Sequence, residues 1–385
     1  MSHDFAQTKL PLAIIVGLFA GKVPIPRPII RAALHIVKCL GLFRLARHLT
    51  RHALRIICYH GFAVADEDKY RSTLFIRDRL FRRRIEYLRH HGYPILPLTQ
   101  ALDLLSVGQA PPCATVITMD DGWRGVYTVG LPVIKELDVP VTVYVTTYYV
   151  ENPMPVFTVT ASYLFWRCTV PRIVLPRGLG TFDLPGGSEK AEELAQQFGA
   201  TLPPADRLEF LKELASALQV SFAEIEQQHL FRVMDETELR SLADAGVDIQ
   251  LHSHHHQWPL YDKAMVEAEI AENRRLLGRI VPRALEHFCY PSGVYGLHQG
   301  EWLAALGVKS ATTIEPGFNY RDTPRFALRR IVDGGPVSDI EFVAEMTGFM
   351  EIVRSLRDRQ LFSSLWRQWY ARPRSPVHEN AVADK

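Results

Sequence analysis

Short β-prone runs alternate with helical segments along most of this chain, and this alternation limits the possible folds more than any other feature. Parallel neighbouring strands need long crossover connections, which are usually helices. Helices are predicted at Ile76–His91, Leu131–Leu137, Asp262–Leu277 and Glu301–Leu306. Strands are predicted at Leu54–Tyr59, Ala114–Met119, Val141–Val145, Asp248–Leu251, His287–Tyr290 and Lys309–Thr313. The pattern indicates an α/β protein of βα units, arranged as a parallel sheet or a barrel.

The segment from Asn152 to Val233 interrupts this rhythm. It contains a predicted hairpin, Arg172–Val174 with Gly180–Leu184, and helical stretches near Glu189–Phe198 and Asp206–Leu218. Because βα units occur on both sides of it, we interpret the segment as an insertion. The predicted organisation is a basic helical extension at residues 1–53, a barrel at 54–348 with its insertion at 152–233, and a C-terminal helix with a disordered tail at 349–385.

The composition excludes several classes of protein. The 385 residues are 47% hydrophobic and 22% charged, which is typical of globular proteins and argues against a disordered chain or a polytopic membrane protein. The chain has 44 Lys and Arg against 42 Asp and Glu, a formal net charge of +2. Nucleic-acid binding needs a clear basic excess, so no nucleic-acid partner is expected.

Positive charge is nevertheless concentrated near the N-terminus. No Asp or Glu lies between Phe5 and Ala65, where nine Lys and Arg occur. Ile29–Leu49 is predicted to form a basic amphipathic helix, which either contacts an anionic membrane surface peripherally or packs beneath the barrel. Leu10–Ala20 is an apolar run too short to span a membrane, and we interpret it as a weak export signal or an interfacial anchor.

The cysteine pattern bears on the cellular compartment. Five cysteines without a CxxC pair make neither a disulfide framework nor a cysteine-type zinc site. They are interpreted as small buried hydrophobic residues in a reducing compartment. A cytoplasmic location, peripheral to the membrane, is therefore predicted, and the sequence leaves export open. The five are Cys39, Cys58, Cys113, Cys168 and Cys289.

Four predicted strand ends carry residues capable of chemistry. His60 follows the first strand, Asp120 and Asp121 follow the second, a cluster of four histidines at 252–256 follows the fourth, and a turn containing Ser292 follows the fifth. Alone, each is compatible with an ordinary structural role, such as a structural His, an Asp-Asp-Gly turn or a solvated loop. In a (β/α) barrel, however, the carboxyl ends of all strands share one face.

Taken together, these residues indicate a hydrolytic site. One carboxylate and two imidazoles make a three-ligand metal site with an open position for water, as in catalytic zinc enzymes. A remaining Asp as base and a remaining His as acid complete the set of groups that hydrolysis needs.

Two motifs carry a family resemblance. Thr118-Met119-Asp120-Asp121-Gly122 resembles the TFDDG motif of the polysaccharide deacetylase family (carbohydrate esterase family 4, with the NodB homology domain). His252-Ser253-His254-His255-His256 is similar to its H-[S/T]-x-x-H motif, and the resemblance covers about Leu54 to Thr347. It implies a distorted (β/α) barrel with one strand fewer than the TIM barrel. It also implies that Asp121, His252 and His256 bind a divalent metal, usually Zn²⁺, and that Asp120 is the general base on the metal-bound water.

The chain departs from the family pattern at two places. Cys289 and Ser292 occupy positions where the third motif often has an Arg that tethers the base and a following Tyr. Phe326 to Gly335 lacks the usual late catalytic His. Tyr59-His60-Gly61 instead resembles the branch of poly-N-acetylglucosamine deacetylases, which implies His60 as general acid. The backbone N–H of Ser292 is then a candidate for the oxyanion, and Arg330 is a candidate for orienting Asp120.

The expected activity is metal-dependent removal of N-acetyl groups from an exopolysaccharide or cell-envelope glycan, releasing acetate and leaving a free amine. The expected partner is an N-acetylated polysaccharide or oligosaccharide. Two alternatives stay open from the sequence: hydrolysis of another amide or ester, and a non-catalytic, metal-containing carbohydrate-binding protein. Retention of both Asp120 and His60 argues against simple binding, which requires neither.

Overall fold

The structure is a computed structural model that describes residues 26–296 and 298–357. The described residues divide into two compact units: Thr50–Ser338 form one, and the residues up to Leu49 together with those from Asp339 onward form the other. The apolar run Leu10–Ala20 and the predicted disordered tail from Arg372 lie outside the described residues. The domain boundaries after residues 53 and 348 stay predictions.

A closed barrel of seven parallel strands forms the Thr50–Ser338 unit, with strand order β1-β11-β10-β9-β8-β5-β4. The short strands β2 and β3 pair with each other, as do β6 and β7. This architecture confirms the predicted barrel with one strand fewer than the TIM barrel. The strands are β1 (Arg55–Tyr59), β2 (Gly61–Phe62), β3 (Phe75–Ile76), β4 (Thr115–Met119), β5 (Thr142–Val145), β6 (Arg172–Leu175), β7 (Gly180–Asp183), β8 (Asp248–Leu251), β9 (His287–Cys289), β10 (Ser310–Pro316) and β11 (Leu328–Val332).

Helices connect the strands and account for the crossover segments that parallel pairing requires. A further helix covers residues 349–357. The helices are α1 (Arg27–Cys39), α2 (Leu42–Leu49), α3 (Glu67–Tyr70), α4 (Asp78–His90), α5 (Leu98–Ser106), α6 (Leu131–Glu136), α7 (Tyr148–Glu151), α8 (Phe157–Arg167), α9 (Ser188–Ala200), α10 (Pro204–Ala217), α11 (Phe222–Gln227), α12 (Glu236–Asp244), α13 (Lys263–Ile280), α14 (Gln299–Ala305) and α15 (Asp339–Met346).

The barrel strands are buried on both faces, which explains their continuous β-prone runs. Every residue of β1, β4 and β5 is buried, as expected for parallel strands covered by helices outside and side chains inside. One barrel strand, β11, was not anticipated. Its sequence Leu-Arg-Arg-Ile-Val contains two arginines that resemble an exposed segment, yet Arg330 is fully buried.

The segment from Asn152 to Val233 contains the predicted elements. Strands β6 and β7 pair antiparallel, with Arg172 opposite Asp183, which confirms the hairpin. Helices α9 and α10 confirm the two helical stretches. Its apolar side chains, among them Phe157 and Phe210, form one cluster with Phe75 and Trp123 from outside the segment. Its amphipathic helices bury their apolar sides in this cluster.

The second unit begins with two helices rather than the single predicted helix Ile29–Leu49, so that prediction is wrong in its continuity. Helix α1 ends at Cys39 and α2 begins at Leu42, and Gly41 between them has a φ of +75°. Glycine adopts this left-handed conformation without the steric cost of a Cβ, and it typically ends a helix. Cys39 is exposed, so the interpretation of all five cysteines as buried is also wrong. None of the helices within residues 26–296 and 298–357 combines the length and apolar composition that crossing a membrane requires.

Candidate active site

Asp121, His252 and His256 converge at the carboxyl ends of β4 and β8. Asp121 Oδ1 lies 3.2 Å from the Nε2 atom of His252 and 3.2 Å from that of His256. Ligand atoms bound tetrahedrally at about 2.0–2.1 Å from one Zn²⁺ would lie about 3.3 Å apart. One carboxylate oxygen and two imidazole nitrogens are also the donor types of catalytic zinc sites. The three residues therefore fit a divalent metal ion.

The hydrogen bonds of His252 determine which ring nitrogen can serve as a ligand. Its Nδ1 lies 2.7 Å from the carbonyl oxygen of Cys289, an acceptor, so Nδ1 carries the proton. Nε2, which lies 3.2 Å from Asp121 Oδ1, is then the ring nitrogen that can bind a metal ion once it gives up its own proton. This arrangement, in which one imidazole nitrogen donates to a carbonyl and the other is free to bind, is typical of metal-ligating histidines.

Two residues of helix α13 hold the loop that carries the histidines. Asn273 accepts the backbone N–H of His252 (3.1 Å) and donates to the carbonyl of Val145 and the hydroxyl of Thr147. Glu269 accepts the backbone N–H groups of His254 and His255 at 2.8 and 2.9 Å. These contacts fix a loop with two left-handed residues, at positions 253 and 256.

The turn after β4 aims the Asp121 carboxylate. Asp121 and Gly122 have φ values of +71° and +80°, and a Cβ at Gly122 would lie 3.0 Å from the side chain of Val145. The indole Nε1 of Trp123 donates to Asp121 Oδ2 at 2.7 Å. Burial by itself raises the pKa of Asp121, but hydrogen bonds with His252 and His256 outweigh it and hold that pKa well below its usual range. Asp121 is therefore an ionised carboxylate with one oxygen oriented by Trp123.

Asp120 points to a different partner. The Arg330 guanidinium donates to both of its carboxylate oxygens at 2.7 Å, and both residues are buried in the barrel. Burial by itself raises the pKa of Asp120, but the positive charge and hydrogen bonds of Arg330 outweigh it and lower that pKa to about 2. Arg330 is held in turn by the carbonyl of Thr313 at 2.7 Å. Asp120 is thus ionised at neutral pH and fixed in orientation.

Two buried thiols complete the surroundings of Asp120. The Sγ atoms of Cys58 and Cys289 each lie 3.5 Å from Asp120 Oδ2. Burial raises the pKa of Cys58 well above its usual range, so this thiol stays protonated beside the carboxylate. Asp120 also lies close to His252 and Cys289 as a possible ligand group. Because both of its oxygens already accept from Arg330, Asp121 is the better ligand of the two carboxylates.

His60 lies directly after β1 at the same end of the barrel. The nearest ligand-type atoms of Cys58, His60 and Asp120 are within 4.8 Å of one another. The His60 side chain is half-buried, and its Nδ1 is buried without a hydrogen-bond partner in the part of the chain that the structure describes. Leaving a buried ring nitrogen without a partner lowers the stability of the folded protein. The Nδ1 atom of His60 is therefore a hydrogen-bonding position that the described residues do not use.

The structure thus brings together six of the seven predicted site residues. The seventh, Ser292, lies on the short turn Pro291–Gly293 after β9 with an exposed side chain and a φ of +55°, and its backbone N–H stays a candidate for the oxyanion. Sequence reasoning missed Trp123, Glu269 and Asn273. A signal for the last two was present, because they interrupt the buried face of α13 formed with Val266 and Ile270. Polar residues on an otherwise apolar helix face usually have a specific partner.

Comparisons with known proteins agree with this architecture. Residues 206–311 match the family model described as polysaccharide deacetylase. That range contains the histidine loop, Cys289 and Ser292, whereas the other site residues lie outside it. No curated protein sequence matches the chain. Among solved structures, the Streptococcus pyogenes deacetylase PplD in complex with acetate is similar, with 17% identity, a TM-score of 0.52, and coverage of 77% of this chain and 99% of that one. IcaB from Ammonifex degensii has 17% identity and a TM-score of 0.51, with coverage of 77% and 97%.

The seven-stranded barrel is the NodB-type deacetylase fold, which both solved structures share. The family match over residues 206–311 and this fold are both similar to those of polysaccharide deacetylases. Together they support a hydrolase that acts on carbon–nitrogen bonds other than peptide bonds.

Proposed function

We propose that this protein is a metal-dependent deacetylase that removes N-acetyl groups from an exopolysaccharide or cell-envelope glycan. The observation that carries the proposal is the placement of two ionised carboxylates with different partners side by side. Asp121 faces two imidazole nitrogens at 3.2 Å, whereas Asp120 is bonded to Arg330. One carboxylate is therefore available to a metal ion and the other to a proton.

In this proposal Asp121, His252 and His256 hold the metal. One carboxylate and two neutral imidazoles suit Zn²⁺, and Co²⁺ or Ni²⁺ can bind the same donors. When bound, such an ion would polarise the acetyl carbonyl and lower the pKa of a water molecule. The lower pKa of the water matters because Asp120, with a pKa of about 2, is a weak base.

The remaining residues have distinct proposed roles in the hydrolysis. Asp120 accepts a proton from the attacking water as the new carbon–oxygen bond forms. His60 donates a proton to the amide nitrogen as the carbon–nitrogen bond breaks, so that acetate and a free amine leave. The backbone N–H of Ser292 donates to the developing oxyanion. Arg330 acts through Asp120 and is a positioning residue.

The substrate assignment rests on the family match together with this constellation. An N-acetylated sugar presents an amide whose carbonyl can enter the open side of the proposed metal site, next to Asp120 and His60. Cys289 replaces the usual arginine of the third motif, but Arg330 reaches the same carboxylate from β11. Arg330 on β11 therefore holds Asp120 in place of the usual arginine, which supports a catalytic role for Asp120.

The test combines activity with metal content. Zinc-loaded protein is expected to release acetate from N-acetylglucosamine oligomers, and a chelator is expected to stop the release. His252→Ala is expected to abolish zinc binding, whereas the control Gln197→Ala, at an exposed position of helix α9, is expected to keep it. Acetate from chromogenic esters but none from the oligomers would point to another substrate. Acetate from neither, with zinc still bound, would point to a binding protein and contradict the proposal.

A further inference from the structure

Helices α1 and α2 expose large apolar side chains that the core of their unit does not use. Leu34 and Val37 of α1 are buried against Ile340 and Ala344 of α15 in one apolar cluster. A second set of side chains is 53–63% exposed, and we call it the exposed apolar face: Ile29, Ile36 and Leu40 on α1, with Leu45 and Leu49 on α2.

The sequence spacing places these residues in continuous rows. Residues 29, 36 and 40 are seven and four positions apart and therefore lie on one side of α1, and residues 45 and 49 lie on one side of α2. A single exposed leucine on a soluble protein is common. Five such residues lie on two consecutive short helices of one unit, and exposed apolar side chains grouped in this way typically mark a contact with another surface.

The charge on the polar sides of these helices selects the kind of surface, since Lys38 is two positions from both Ile36 and Leu40 and so lies on the opposite side of α1. No acidic residue occurs between Phe5 and Ala65, whereas Lys38 and Arg44 are exposed on α1 and α2. Two acidic side chains of the same unit have basic partners: Glu341 pairs with Arg31 of α1, and Glu345 pairs with Arg354. Apolar side chains on one side of a helix and exposed positive charge on its polar side match an anionic lipid bilayer, in which the apolar side chains enter the acyl boundary and the charges meet the headgroups.

We propose that α1 and α2 dock this protein on anionic membrane surfaces through the exposed apolar face. The helices lie in the plane of the interface, since their apolar rows run along one side. Docking would hold a glycan-modifying enzyme at a bilayer, but it involves neither the metal site nor Asp120. The proposal therefore stands or falls independently of the deacetylase activity.

The experiment is flotation of the full chain with lipid vesicles. Vesicles of three parts phosphatidylcholine to one part phosphatidylglycerol are compared with pure phosphatidylcholine. The wild type is expected to float with the anionic vesicles, and high salt is expected to release it. Lys38→Gln and Arg44→Gln should each weaken binding about fivefold. Ile36→Ser combined with Leu45→Ser should weaken it by about tenfold or more.

Matched controls distinguish this face from exposed apolar residues elsewhere on the protein. Val107→Ser and Val174→Ser replace equally exposed apolar residues of the other unit and should leave flotation unchanged. Light scattering of the same variants reports the oligomeric state. The proposal is overturned if the wild type stays unbound on anionic vesicles. It is also overturned if the Ile36 and Leu45 substitutions leave flotation intact, or if they instead convert a dimer to a monomer, which would identify a second copy as the occupant.

Discussion

The ion pair between Asp120 and Arg330 gives the sharpest stability prediction. Arg330→Met keeps a side chain of similar length but removes the guanidinium that donates to both oxygens of Asp120. Arg330 is completely buried and Asp120 is only 3% exposed, so water cannot replace the lost partner. Removing one member of a buried pair typically lowers the free energy of unfolding by about 3–5 kcal/mol. We expect a loss of this size at neutral pH.

The pH dependence gives this loss a signature. In the wild type the pKa of Asp120 is lowered from its ordinary 3.8 to about 2. That depression contributes roughly 2 kcal/mol of stability above pH 4, which is lost as the pH falls through the folded pKa. In Arg330→Met the largest influence opposing burial is gone, and we expect burial to outweigh the remaining effect of His60 and His252 and to raise the pKa of Asp120 above its ordinary value. The variant is therefore most destabilised at pH 7, and its deficit shrinks as the pH approaches 4.

Urea unfolding at pH 7 and pH 4.5, monitored by tryptophan fluorescence, measures both effects. Arg82→Met is the matched control, because Arg82 makes the same two-pronged contact with Glu136 at the exposed surface and its loss should have little effect. Adding Asp120→Asn to Arg330→Met removes the buried charge and should recover much of the stability. A deficit that is independent of pH, or a double variant no more stable than the single one, would refute the reasoning.

Two further predictions concern the site itself. His60→Ala should lower kcat on N-acetylglucosamine oligomers about 10²–10⁴-fold with unchanged zinc content, since it removes a proton donor and no metal ligand; loss of zinc from this variant would contradict its role as acid. Asn273→Ala should weaken zinc binding about 10–100-fold in a competition with a chromogenic chelator, because the backbone of His252 loses its anchor. The exposed substitution Gln197→Ala should leave zinc affinity unchanged, and equal affinities of the Asn273 variant and the wild type would show that the loop holds its shape unaided.

The parts of the fold that the sequence predicted are those with local signals. Six of the seven barrel strands are continuous β-prone runs bounded by turns, and the site residues after them follow from the rule that parallel strands share one carboxyl end. Strand β11 lacks such a run, because two arginines interrupt its apolar residues. One of them, Arg330, is tolerated there because its partner also lies inside the barrel. That partner, Asp120, is 210 positions away in the chain, a separation that spacing cannot connect.

Details of the site depended on contacts between distant segments. Only the family resemblance, and no pattern in the residues themselves, indicated which carboxylate faces the histidines. In the structure Asp121 faces them and Asp120 bonds to Arg330. The break between α1 and α2 is a local feature that Gly41 could have indicated. The polar anchors Glu269 and Asn273 could have been noticed on the buried face of α13, but their partners could not have been named.

The most direct test of the central claim is to count acetate and free amine in the same reaction on N-acetylglucosamine oligomers. Zinc-loaded wild type is compared with Asp120→Asn carrying the same measured zinc content. We predict equal amounts of acetate and amine from the wild type, and a loss of both by about 10²-fold or more in the variant, which retains the metal but lacks the base. Equal rates from the two proteins, or acetate release without new amine, would contradict the proposed role of Asp120 in deacetylation.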